Sequence, residues 1–262
     1  MRPSLAGSFL ADGRRRQAVK YTPDGPAAVL SPHLDDAVLS AWSVLRRAGD
    51  VRVVNVCTGV PPPGPPPSWD LRTGATDRRE RMGERLAEDS EALAHAGREP
   101  TGLGFLDAHY RTQALDPDAL AQAIADAVPL ASQLWAPAAI GGHMDHVQVR
   151  QAAFELAGRG GPPIRLYADL PYAVRIGWPE WVDGGPHANG LHRDFWWNSD
   201  LPADGPLPAA AHELPSREID RKLRALEAYR TQWRGLVRSF PLLARRQTLR
   251  YEVSFDAGSI RS

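Results

Sequence analysis

The chain has 262 residues, with 31 basic against 31 acidic side chains, eight histidines, eight tryptophans, 24 prolines and one cysteine. A formal charge of zero gives no electrostatic reason to seek phosphate backbones or anionic lipid, so no nucleic-acid partner is expected. One cysteine can form neither an internal disulfide nor a thiolate zinc cage, so any metal site must use nitrogen and oxygen ligands. A chain of this length buries roughly 70–75% of its unfolded surface, enough for one sizeable core, and residues 1–262 read as a single domain. No stretch supplies the roughly 20 consecutive apolar residues of a membrane helix. A short apolar stretch ahead of Arg14, Arg15 and Arg16 is the wrong order for a secretory signal, so a cytoplasmic protein is expected, with residues 1–24 as a flexible or peripheral arm.

The first apolar run, Ala27–Ser31, leads through a polar turn to an apolar-periodic stretch over 37–47, which reads strand, loop, helix. The β-branched run 51–56 (VRVVNV) reads as a second buried strand paired in parallel with the first. Six prolines around Gly64 at 61–67 exclude helix and central strand, leaving an extended loop. Residues 77–95 form an amphipathic helix ended by Gly97. A short strand is expected at 103–106, a helix at 116–128 with Asp116 as N-cap and Pro117 in its first turn, and a strand at 133–136. A helix at 147–156 and a strand at 164–167 follow. This alternation predicts an α/β fold, a Rossmann-like doubly wound, mostly parallel sheet with helices on both faces.

After Pro171 the pattern breaks into a stretch carrying Trp178, Trp181, Trp196, Trp197, His187 and His192, read as loops and short strands of an irregular, aromatic-rich C-terminal part. A helix over 216–236 and a final strand over 248–255, antiparallel at an edge, complete the reading. Residues 171–262 are expected to be a substrate-side extension of the same domain.

Chemistry concentrates in two segments. Ser31-Pro32-His33-Leu34-Asp35-Asp36 stands where the first strand ends and its helix begins, the edge at which open α/β sheets bind ligands. Alone, it could be a loop histidine with two helix-capping aspartates. Gly141-Gly142-His143-Met144-Asp145-His146 follows the fourth strand at a matching junction. Two such junctions on one sheet edge can bring His33, Asp36 and His146 together, two imidazoles and a carboxylate with coordination positions left open, the pattern of a catalytic zinc site. The same triad could hold Fe2+ in a non-haem oxygenase, although here it flanks helices in an α/β pattern. A third reading is a sugar-binding module without chemistry, which would predict loss of at least one ligand.

These residues resemble the PIG-L/LmbE-like deacetylase family. Its His-Pro-Asp-Asp motif is matched by His33 to Asp36, and its His-x-Asp-His motif by His143 to His146, with Leu34 and Met144 at spacer positions where proline is common. Weaker echoes are Arg85-Leu-Ala-Glu88-Asp89, Phe105-Leu-Asp107 and Tyr229-Arg-Thr-Gln232. The resemblance implies a zinc-dependent N-deacetylase acting on an N-acetylglucosamine-type glycoside, a small-molecule substrate. It implies His33, Asp36 and His146 as metal ligands and Asp35 as general base. It also implies His143 as oxyanion stabiliser; a protonated His143 could donate to the oxyanion, with Asp145 keeping it oriented and charged. Either Asp35 or His143 would protonate the departing amine. Arg85 and Asp107 are candidate substrate-binding residues, and Arg85 could instead pair with Glu88 or Asp89 on its own helix. Cys57 reads as a buried apolar residue. His95, His109, His187, His192 and His212 lack ligand spacing, and His187 and His192 are placed nearest the pocket. Oligomeric state is not legible.

Overall fold

The computed structural model describes residues 25–185 and 209–258. The arm at 1–24, and with it Arg14 to Arg16, lies outside the described residues, as do His187, His192, Trp196 and Trp197. Seven strands form one sheet in the order β3-β2-β1-β4-β5-β7-β6. Five of them run parallel: β1 (Ala27–Ser31), β2 (Val51–Asn55), β3 (Pro100–Gly102), β4 (Gln133–Pro137) and β5 (Ile164–Tyr167). The two remaining strands, β6 (Ala209–Glu213) and β7 (Tyr251–Gly258), are antiparallel. The central strands are apolar at nearly every position because both faces are covered: Val29, Leu30, Val53, Val54, Leu134, Ala136 and Leu166 are all fully buried.

The chain winds outward from β1 through β2 to β3, then returns to place β4 on the other side of β1. Right-handed crossovers therefore put α4 (Arg78–Ala94) on one face and the pair α5 (Pro117–Ala127) and α6 (Met144–Gly158) on the other. The direction of winding reverses between β1 and β4. Such a switch point opens a crevice at the carboxyl ends of the two strands, and both sequence motifs leave from those ends.

Several expected boundaries shift for identifiable reasons. The expected helix over 37–47 is two pieces, α1 (Asp36–Ser40) and α2 (Trp42–Leu45), broken at Ala41. The Glu252 carboxylate accepts from Trp42 N (2.8 Å) and Ser43 N (2.9 Å), supplying a new helix start from β7. The expected strand at 103–106 is instead β3 at 100–102; Gly104 at φ +79° ends the extended run before its apolar residues. Helix α6 begins at Met144 rather than 147, because His143 caps it, so Asp145 and His146 occupy its first turn.

Of the segment after Pro171, residues 172–185 and 209–258 are described, and they hold several short helices. Short α3 (Ser68–Arg72) precedes α4, while α7 (Glu180–Asp183), α8 (Ser216–Ala228), α9 (Trp233–Ser239) and α10 (Arg246–Leu249) follow β5. The single helix expected over 216–236 divides at Tyr229, whose ring turns inward and is fully buried. Thr248 belongs to α10, so the last strand starts at Tyr251. It lies between β5 and β6, leaving β6 as the edge. Trp178 is buried, donating its indole N–H to Thr248 O at 2.8 Å, whereas Trp181 is exposed. Among the described residues no helix is long and apolar enough to cross a membrane.

Candidate metal and catalytic site

At the end of β1 a serine fixes the turn. Ser31 Oγ donates to His33 O (2.6 Å) and accepts from Ala37 N (3.0 Å). Asp36, the first residue of α1, turns its carboxylate back so that Oδ2 accepts from His33 N at 2.8 Å. Asp35 stands at the N-cap position but makes no side-chain capping bond. Its carboxylate therefore does not serve the helix and lines the cavity instead.

At the end of β4 the chain must turn sharply beneath a tyrosine. Gly141 has φ +87°, and a Cβ there would meet Tyr172 Cβ at 2.8 Å, so both backbone and space demand glycine. His143 then caps α6, its Nδ1 accepting from Asp145 N at 3.3 Å. With Nδ1 an acceptor, the neutral ring carries its proton on Nε2.

The two turns bring three ligand atoms together. His146 Nε2 lies 3.2 Å from His33 Nδ1 and 3.2 Å from Asp36 Oδ2, and His33 Nδ1 lies 3.3 Å from Asp36 Oδ2. Metal–ligand bonds of about 2.0–2.1 Å at tetrahedral angles place ligand atoms about 3.3 Å apart, so this triangle has the dimensions of one face of a coordination tetrahedron. His33, His143 and His146 also present ligand atoms within 4.8 Å of one another, as do His33, Cys57 and Asp145. The first of these would take His143 from its capping role, and burial pushes the Cys57 thiol up, away from the thiolate a metal requires.

Each ligand imidazole is held from behind by a carboxylate. Asp169 Oδ1 lies 2.7 Å from His146 Nδ1, and Asp145 Oδ2 lies 2.9 Å from His33 Nε2. A carboxylate on the far nitrogen fixes the ring and turns the near nitrogen into the crevice, the arrangement seen behind metal-binding histidines. Asp145, expected to orient His143, instead lies 2.9 Å from His33 Nε2, with its Oδ2 4.0 Å from His143 Nδ1. Asp145 is itself fixed by Arg111 and by Ala108 N at 3.1 Å, and Asp169 by Ile140 N at 2.9 Å.

The electrostatics match a place built for positive charge. Burial works against ionisation of Asp36, yet the charges of His146 and His33 hold it well below the usual carboxylate range. Burial likewise opposes charge on His146, but Asp36 and Asp169 raise it to about 9. Asp35 moves the other way: burial and the neighbouring Asp36 charge push it up to about 6. His143 is lowered to about 4 by burial and by His33 and His146, so it is neutral near pH 7.

These groups open into a cavity of about 220 Å³. Arg85 and Asp107, both buried, reach its wall. Arg85 pairs with Asp70 and donates to Tyr110 Oη at 3.3 Å, rather than bonding Glu88 or Asp89, and its Nε has no partner. Asp107 caps the turn at 108–110 and lies 3.9 Å from His33 Nε2. Trp69, Met82, Leu236 and Phe240 give the cavity an apolar side. His109, set aside on spacing, borders it too.

Sequence reasoning missed Asp169, Arg111 and Tyr172, and gave Tyr229 only as part of a weak motif echo. Asp169 had a usable signal, an acid just past an apolar strand at the same sheet edge as the other two motifs. Arg111 lies in an irregular segment with no periodicity to place it.

No family model matches the chain. The 2'-N-acetylparomamine deacetylase of Streptomyces fradiae is 33% identical over 170 residues, 57% of this chain and 58% of that one, so the match spans under two thirds of the curated relative's length. Among solved structures, the antimicrobial pseudoaglycone deacetylase Dbv21 is 25% identical with a TM-score of 0.65, covering 89% of this chain and 97% of that one. A triple mutant of the teicoplanin-pathway deacetylase Orf2 is 26% identical with a TM-score of 0.64, covering 90% and 100%. A 4-carboxy-2-hydroxymuconate hydratase from Pseudomonas putida, 16% identical with a TM-score of 0.55 over 89% of this chain and 96% of that one, shares the fold alone. The reaction must therefore be argued from the site.

Proposed function

We propose, from the premise that this chain belongs to the PIG-L/LmbE-like deacetylase family, that it is a metal-dependent hydrolase removing the acetyl group from an N-acetylglucosamine-type amino sugar in a small-molecule conjugate. The observation that carries the reading is the triangle of His33 Nδ1, Asp36 Oδ2 and His146 Nε2, with the non-capping Asp35 carboxylate in the same cavity. Those three residues would hold the metal, and an all-nitrogen-and-oxygen set with open positions suits zinc. Bound zinc supplies a Lewis acid for the amide carbonyl and a water acidified toward pH 7.

The chain's own residues supply the proton handling. Asp35, raised to about 6, is ionised near neutrality yet basic enough to take a proton from water. Having taken it, Asp35 holds that proton inside the cavity for the departing amine. His143, lowered to about 4, carries no surplus proton to give. Its Nε2–H, fixed by the cap at Nδ1, is the donor for the oxyanion that develops on the carbonyl. Arg85 and Asp107 are assigned to sugar hydroxyls, supported by their places in the lining of the cavity. Residues 1–262 are taken as one deacetylase domain, whose part beyond 171 completes the substrate side through Tyr172, Gln232, Leu236 and Phe240.

The deciding experiment is Asp35→Asn. It should abolish acetate release from a panel of N-acetylglucosaminyl conjugates while leaving one bound metal per chain. Full activity in that variant removes the base assignment. Neither an iron oxygenase nor a non-catalytic sugar-binding module is favoured, because the similar proteins named above at 25% identity or more are deacetylases and all three candidate ligands are present.

A further inference from the structure

Asp89 is a buried acid that the chemistry above does not use, and it sits in a buried hydrogen-bond network. Its Oδ2 accepts from Asn55 Nδ2 at 2.5 Å, at the carboxyl end of β2. Its Oδ1 lies 2.8 Å from Tyr229 Oη. Tyr229 Oη in turn lies 2.9 Å from the carbonyl oxygen of Leu34, the residue whose peptide carries Asp35. The Tyr229 turn is clamped from the same helix, because the Glu88 carboxylate accepts from Thr231 N (3.0 Å) and Thr231 Oγ1 (2.7 Å).

We propose that Tyr229 and Asp89 are positioning residues for the general base, with a protonated Asp89 donating to Tyr229 so that Tyr229 donates to the Leu34 carbonyl and fixes the Leu34–Asp35 peptide. The hydrogens available decide the protonation state. A phenol has one O–H, yet Tyr229 faces two acceptors, Leu34 O and Asp89 Oδ1, all of them buried. If Asp89 were ionised, the carboxylate would take the phenol proton and the Leu34 carbonyl would be left without a donor, a costly state for a buried group. If Asp89 carries a proton, Tyr229 is free to serve Leu34: Asp89 donates to Tyr229, Tyr229 to Leu34, and Asn55 Nδ2 to Asp89, while Asn55 Oδ1 has no partner in either protonation state. Burial raises Asp89 to about 7 despite its hydrogen bonds from Tyr229 and Asn55, which agrees with a proton held there.

The placement explains why a distant helix matters to the site. Asp35 makes no capping bond, so its own side chain does not fix it to α1. Its location follows from the peptide before it, and that peptide is held by a phenol from the turn between α8 and α9. The inference rests on the assignment of Asp35 as base, and its test is chosen to separate the two.

Tyr229→Phe keeps the ring and removes the bond to Leu34. It should lower kcat by at least about tenfold, toward the roughly 10²-fold cost of a misplaced catalytic group, with KM and metal content unchanged. Amide hydrogen exchange over 33–39 should quicken in the same variant. Asp89→Leu should reproduce both effects, and Asp89→Asn, which keeps an N–H donor for Tyr229, should recover most of the loss. Unchanged kcat and unchanged exchange in Tyr229→Phe would overturn the positioning role. An Asp89→Asn variant as impaired as Asp89→Leu would overturn the proton on Asp89. If the wild type releases no acetate from any conjugate, the functional reading fails instead, and the exchange data alone decide whether the phenol braces the turn.

Discussion

Replacing Asp169 by Asn tests the metal assignment at a residue that would not touch the metal. Asp169 is fully buried, with Oδ1 on His146 Nδ1 at 2.7 Å and Oδ2 accepting from Ile140 N at 2.9 Å. An asparagine has one acceptor and one donor end. If its oxygen stays on Ile140 N, its NH2 faces His146 and makes Nδ1 an acceptor. The imidazole proton then moves to Nε2, the atom that faces Asp36 and His33. If the amide flips, its NH2 opposes the Ile140 N–H and a buried donor loses its acceptor. Either arrangement weakens the site. Loss of a carboxylate behind a metal-bound histidine costs about 10–100-fold in affinity, roughly 1.4–2.7 kcal/mol, and the forced tautomer places this variant toward the upper end. Competition of the purified protein against a chromogenic zinc chelator would measure it, with circular dichroism confirming the fold. A dissociation constant within about threefold of wild type would refute the argument that Asp169 sets the ligating nitrogen of His146.

Two further outcomes are expected. Asp35 must be ionised to accept a proton, and burial with the Asp36 charge puts its titration at about 6. The acid limb of kcat/KM should therefore fall as pH drops through about 6, and a limb set instead near the ordinary aspartate value would contradict the burial argument. Lys222 is fully buried and paired with Glu252 at 2.7 Å, so Lys222→Met strands a buried carboxylate and should destabilise the fold by about 3–5 kcal/mol. Urea unfolding would show it, and a stability equal to that of the wild type would refute the pairing argument.

The parts legible in the sequence were those governed by local pattern. β1, β4 and β5 begin where their apolar runs begin, and the two histidine motifs stand at the carboxyl ends of adjacent strands, as strand-to-helix spacing implied. What escaped was set by contacts distant in sequence. The break at Ala41 depends on a carboxylate at Glu252, and the break at Tyr229 on partners at Leu34 and Asp89. Neither leaves a mark on helical periodicity, since apolar spacing continues across both. The pairing of Asp145 with His33 was hidden for a similar reason. Adjacent motif letters suggest adjacent partners, whereas a helix first turn directs Asp145 across the crevice to the other strand's loop.

The bond between Glu252 and the amides of Trp42 and Ser43 joins positions about 210 residues apart. It also sets an order of assembly. At about 5–20 residues per second on the ribosome, the turn bearing His33 and Asp36 waits about 10–45 s before β7 exists to cap α2 and to cover β5. Throughout that interval the start of α2 lacks its acceptor, and over its last part, once residues 164–167 have been made, β5 has an open edge. Long-range closure of this kind slows folding, so the nascent chain carries its first motif long before the strand that holds it in place.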